Sequence, residues 1–248
     1  MVVFGCHECH SFLETPESCA GKIQDCPECG AENLVPTRGL RQVFGFLRAG
    51  WREFCEGVKK SSRDAGLELG RCAPLEAAFY LLYRIDMALY IAQVPPLLRR
   101  QTCWACTILT CIRELGSTPK REQIERLSWL AEARLGEYAK RAAHAQDDTE
   151  GIRQTHKMLV NYLLASPNDF EDMQRDVPIV ITGFFQSFRL QIALKAFELH
   201  LVFPLCSVIG RLFHDHKKLL EMNASEVDSR VEQAWASARA AIKRADGH

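Results

Sequence analysis

The chain has 248 residues, enough for one or two domains; 47% are apolar and 25% charged, an ordinary globular balance. Thirty-one lysines and arginines offset thirty-one aspartates and glutamates, so neither a strongly basic nucleic-acid binder nor an acidic disordered chain describes the whole. The N-terminus, Met1-Val2-Val3-Phe4-Gly5-Cys6, has neither a charged region nor an apolar run, which argues against a secretory signal and for a cytoplasmic location. The eleven cysteines, an odd number, are then expected to stay reduced as ligands or core residues. The most apolar stretches, 87–98, 101–112, 177–188 and 199–210, are each interrupted by arginine short of the ~20 residues of a membrane span, so integral insertion is not expected.

Residues 1–37 differ in kind from the rest. They hold five of the cysteines and several turn-forming residues, including Pro16, Gly21, Pro27 and Gly30, with no helical period. Cys6-x2-Cys9 and Cys26-x2-Cys29, sixteen residues apart, have the spacing of a four-cysteine zinc site. Each C-x-x-C makes a tight turn that presents two thiolates, and the chain between them brings the turns to one ion. So short a segment has little core, so one Zn²⁺ would supply most of its folding free energy. Phe4, Leu13, Pro16, Ala20-Gly21-Lys22, Pro27, Gly30 and Val35-Pro36 surround the cysteines in a pattern that resembles a recurrent bacterial N-terminal zinc ribbon. That resemblance covers about 15% of the chain. It implies a four-cysteine zinc module commonly joined to unrelated C-terminal domains, with Ala20-Gly21-Lys22 as the hairpin turn between the knuckles. His10 stands where the family has glycine, and the family's basic residues are missing. Cys6-His7-Glu8-Cys9-His10 also has the form of c-type haem attachment, but no export signal accompanies it and Cys26 and Cys29 would go unused. Six acids against Lys22 alone give the segment a net charge of −5, which favours a protein partner over nucleic acid.

From Gly39 the period becomes helical. Leu40, Val43, Phe44, Leu47, Trp51, Phe54, Cys55 and Val58 mark one buried face. Arg41, Arg48, Arg52, Lys59 and Arg63 line another side of the same helix, a face suited to solvent, to the acidic N-terminal segment or to an anionic partner. Helices follow over 75–93, stopped by Val94-Pro95-Pro96, and over 97–115. Thr118-Pro119 reads as a cap opening a helix that buries Ile124, Leu127, Ala131, Leu135, Tyr138 and Ala142. Asp148 caps the next, which ends at Ser166-Pro167. Val177-Pro178 opens a long helix that Pro204 kinks or divides, and Ser225-Glu226-Val227-Asp228 has capping-box form before a last helix. The segment 179–203 has only a narrow polar stripe of Ser187, Gln191, Lys195 and Glu198, so it is expected at the bundle centre or covered by a partner, including a second copy.

Other chemistry is weakly signalled. Cys103, Cys106 and Cys111 suit a redox or metal-cluster site only with a fourth ligand, and their apolar neighbours favour simple burial. No Glu-x-x-His pair supports a di-iron bundle, and no phosphate loop, nucleophile elbow or H-E-x-x-H helix occurs. His214-Asp215-His216 reads as a solvated turn. The sequence therefore predicts a small β zinc ribbon, residues 1–37, followed by an all-α helical-bundle domain, residues 38–248. The expected role is a non-catalytic protein-interaction or scaffold element. The alternatives are a nucleic-acid-associated regulator using the basic helix 39–63, or a redox protein using Cys103, Cys106 and Cys111.

Overall fold

The computed structural model describes residues 1–9, 11–114, 120–175, 177 and 184–246, with backbone alone for 106–114, 184–186 and 241–246. The chain is mostly helical, with a pair of two-stranded hairpins and a cysteine cluster at its N-terminus. Strands β1 (Val2–Gly5) and β2 (Phe12–Thr15) pair antiparallel, as do β3 (Ile23–Asp25) and β4 (Glu32–Leu34). Their core is small: Val2, Phe4, Cys6, Leu13, Cys26 and Val35. Ala20-Gly21-Lys22 links the two hairpins rather than forming a hairpin tip. Gly21, at φ +83°, donates to the Val35 carbonyl at 2.8 Å, and Val35 donates to that of Lys22 at 2.9 Å. That conformation favours glycine because a Cβ would crowd the backbone.

Thr37 caps α1 (Arg38–Asp64) by accepting from the Leu40 N–H at 3.2 Å, and all eight residues of the expected apolar face are buried. The helix at the bundle centre is α2 (Ala73–Ile91), every residue of which is buried from Ala73 to Tyr83. It packs against α1, α3 (Pro96–Glu114), α4 (Arg121–Ala143), α5 (Asp148–Ala165) and α7 (Phe203–His214). The expected cap at Thr118-Pro119 lies outside the described residues; α4 begins instead after Lys120, whose N–H bonds Gln123 Oε1 at 3.0 Å. Asp147, not Asp148, caps α5, accepting from the Glu150 N–H at 2.8 Å. After α8 (His216–Glu221), the box before α9 (Ala224–Asp246) is Asn223 with Glu226. Asn223 Oδ1 accepts from the Glu226 N–H at 3.1 Å, while Glu226 Oε2 accepts from the Asn223 N–H at 2.9 Å. Asp228 is left to pair with Gln42. His214 ends α7 and Asp215 caps α8, so the two histidines flank a helix break.

The opening at Val177-Pro178 falls largely outside the described residues, and α6 is described over Phe184–Phe197. Pro204 does not divide the run that follows. In a regular helix its ring would strike the His200 carbonyl and its missing N–H would leave that acceptor unpaired. The chain widens there into a π turn, Glu198–Val202, and continues as α7.

Two buried ionic groups tie the helices together. Arg134, with no exposed surface, bonds Glu76 at 2.7 and 2.8 Å and the Gln174 and Arg175 carbonyls at 2.9 and 2.6 Å, and lies over Tyr162. Glu198 accepts from Tyr80 at 2.7 Å, pairs with Arg84 at 2.8 Å and meets His156 at 3.5 Å. Burial works against its charge, but His156, Arg84 and Tyr80 outweigh it and hold the carboxyl below its usual range. Removing one member of such a pair strands the other. Arg134→Met is expected to cost ~3–5 kcal/mol in chemical denaturation, and the double variant with Glu76→Met to recover most of that loss.

Candidate metal centre

The sulfurs of Cys6, Cys9, Cys26 and Cys29 lie within 4.8 Å of one another. Each C-x-x-C is the turn of its own hairpin, and the two turns are built alike. The Cys6 N–H bonds the Ser11 carbonyl at 2.9 Å, and the Cys26 N–H bonds the Ala31 carbonyl at 2.9 Å. In both, a backbone N–H two residues ahead points at a sulfur: Glu8 to Cys6, Ser11 to Cys9, Glu28 to Cys26 and Ala31 to Cys29. These donors stabilise thiolates. Gly30, at φ +75°, closes the second knuckle; the matching His10 lies outside the described residues.

Cys6 and Cys29 are 3.6 Å apart and Cys9 and Cys26 3.5 Å, far beyond a disulfide bond, and none of the described cysteines is in a disulfide. A tetrahedral ion bound at ~2.3 Å needs sulfurs ~3.8 Å apart, so the quartet fits the metal with little movement. Burial opposes ionisation of Cys9, but the hydroxyl and N–H of Ser11, with Cys26 and Cys29, lower its thiol to about 6. The Ala31 N–H favours the Cys29 thiolate. Partial desolvation by its neighbours and the three other cysteines prevail, pushing it up to about 12 although the residue is exposed, while burial raises Cys26. Four crowded sulfurs cannot all shed protons without a cation. Metal affinity is therefore expected to rise with pH by roughly a hundredfold or more per unit, as bound metal displaces at least two protons. Competition with a chromogenic chelator at pH 6, 7 and 8 measures this; a flat profile would mean that the thiolates are already ionised.

Residues with no motif to announce them surround the site. Asn33, fully buried, donates to Cys6 Sγ at 3.6 Å and to the Ala31 carbonyl at 2.7 Å, and accepts from the His7 N–H at 3.1 Å. Next to it, the Gln101 carboxamide of α3 accepts from the Leu34 N–H at 2.9 Å and donates to the Leu34 carbonyl at 3.1 Å. A side chain thus occupies the edge of β4 as a neighbouring strand would. One helical turn on, the Trp104 ring covers Gly5, where any Cβ would collide with it. Arg100 meets Glu8 at 3.2 Å, and Arg38 and Arg41 meet Glu17 at 3.2 and 2.5 Å. The basic side of α1 is accordingly divided: Arg41 holds the hairpins, Arg48, Arg52 and Arg63 are exposed and Lys59 is half-buried.

The third cysteine group lies largely outside the described residues. The Cys103 thiol points at Asp86 Oδ1, 3.6 Å away, and the side chains of Cys106 and Cys111 lie outside the described residues. Among the described residues the quartet is the one cluster of three or more ligand-type side chains. Gln101→Ala is expected to leave metal stoichiometry unchanged and to lower the thermal midpoint, by ~1–3 kcal/mol of lost and stranded hydrogen bonds. Metal analysis beside calorimetry checks both. The chain matches no family model, no curated protein and no solved structure.

Proposed function

We propose that this is a non-catalytic zinc-ribbon protein of the cytoplasm that acts as an interaction or scaffold element. Cys6, Cys9, Cys26 and Cys29 hold one Zn²⁺, whose part is structural. Four thiolates complete its coordination and leave no open position for a substrate or water. That none of the described cysteines is in a disulfide suits a reducing compartment.

The observation that carries the reading is the outer hairpin. Asp25 on β3 stands directly opposite Glu32 on β4, and Glu28 lies at the tip between them. Like charges across a strand pair are destabilising. All three carboxylates are exposed and none is in an ion pair among the described residues; Arg121 of α4 is near Glu28 but pairs with Glu125, whereas Glu8 and Glu17 are held by arginines of the helical body. Ile23 stands exposed beside them. A partner with basic side chains around an apolar contact would relieve that repulsion. Asp25→Thr with Glu32→Thr is expected to raise the thermal midpoint of the zinc-loaded chain. The same change should abolish salt-sensitive crosslinking to a lysine-rich partner, identified by mass spectrometry. Crosslinks that persist at these positions would defeat the proposal.

The exposed Arg48, Arg52 and Arg63 support a second reading, in which helix 39–63 contacts nucleic acid. Duplex binding that falls steeply with salt and disappears in Arg48→Glu/Arg52→Glu would favour it.

A further inference from the structure

Helix α6, the π turn and α7 form one continuous run, Ser187–His214, with a mean hydropathy of 1.7 in its most apolar window, of which 44% is buried. The run is inverted relative to an ordinary surface helix. Glu198, the acid of its sequence stripe, points inward to Arg84, Tyr80 and His156, and Ser187 and Gln191 are half-buried. Outward instead stand Phe188, Ile192, Leu199 and Phe203, exposed by 50%, 56%, 40% and 51%, with exposed Ala196 completing the stripe. At 1.5 Å per residue the stripe is roughly 22 Å long. Its exposed area is on the order of 400 Å², the scale at which an apolar patch marks a binding surface. Arg189 and Lys195 are exposed along its edges, and the run's one acid is buried.

The geometry points to the surface of an anionic phospholipid bilayer as the occupant of this stripe. The apolar side chains would enter the acyl boundary while Arg189 and Lys195 meet headgroup phosphates. The run lies on the membrane and does not cross it. Glu198 fastens it to α2 and α5, Phe197 sits over Gly57 and Leu205 over Gly50, so leaving the body would strand a buried ion pair. Charge disfavours a second copy. Antiparallel docking about Ala196 would bring Lys195 beside Lys195, and the run exposes no acid to offset it. The patch is also about half of what each partner contributes to a standard protein interface.

The test uses the full zinc-loaded chain sedimented with vesicles of phosphatidylcholine alone or containing about 30 mol% phosphatidylglycerol. We expect pelleting with the anionic vesicles, at least about tenfold weaker with neutral ones, reduced by salt and reversed by alkaline carbonate. Ile192→Glu/Leu199→Glu should abolish it and Arg189→Glu/Lys195→Glu weaken it, with circular dichroism and thermal midpoint retained because all four sites are exposed. Arg48→Glu/Arg52→Glu should leave it unchanged. No pelleting, equal pelleting with neutral vesicles, resistance to carbonate, or loss only in the Arg48/Arg52 variant would overturn the proposal. So would light scattering that shows a dimer dissociated by Ile192→Glu. Failure here leaves the zinc and outer-hairpin reading standing, since neither measurement involves residues 1–37.

Discussion

Four sulfurs brought within 4.8 Å by two hairpin turns can be ionised together only with a cation among them, and the N-terminal segment depends on that condition. Its six-residue core is too small to hold four strands. Two of those six residues, Cys6 and Cys26, belong to the cysteine quartet, so a bound metal and the core would be one structure. The N–H groups aimed at each sulfur shape the turns whether or not an ion is bound, and Asn33 joins the first knuckle to the second hairpin.

The helical body solves a different problem. α2 is buried on all sides along most of its length, which normally excludes charge, yet it carries Glu76 and Arg84. Each is neutralised by a residue distant in sequence: Arg134 on α4 and Glu198 in the π turn. Such pairs add little net stability over apolar substitutes, but a helix slipped by one turn would leave the charges unmatched. They act on register. The π turn belongs to the same arrangement, since it accommodates Pro204 and sets Glu198 inward at the same place.

Local rules made much of this readable from the sequence. The knuckles followed from cysteine spacing, and the buried face of α1 followed from its period, because both depend on residues within a few turns of one another. Caps were displaced by one or two residues where several capping side chains stand in a row, as at Asn223, Ser225 and Asp228. The misreadings share a cause. Glu198 counted as solvated polarity, and nothing local reveals that Tyr80, Arg84 and His156 await it. Of the two places open to segment 179–203, the bundle centre is taken by α2, and α6 shows apolar residues to the outside, where a partner could cover them. Asn33 and Gln101 carry no motif, since a carboxamide beside a strand edge is defined only by the fold.

Strand β4 and the residue after it, Val35, alternate between two interiors. Val35 faces the hairpin core, Asn33 serves the first knuckle, and Leu34 between them belongs to the main core of the helical body and is gripped by Gln101. This reading frame admits no change of length. Inserting or deleting one residue at 33–35 would turn Leu34 toward the knuckles and an amide or a strand neighbour toward the helices. Residues 1–37 are therefore not a portable cassette. A graft onto another protein would have to carry the first three turns of α3, which hold Gln101 and Trp104, or meet a host surface that supplies a glutamine and a tryptophan one turn apart.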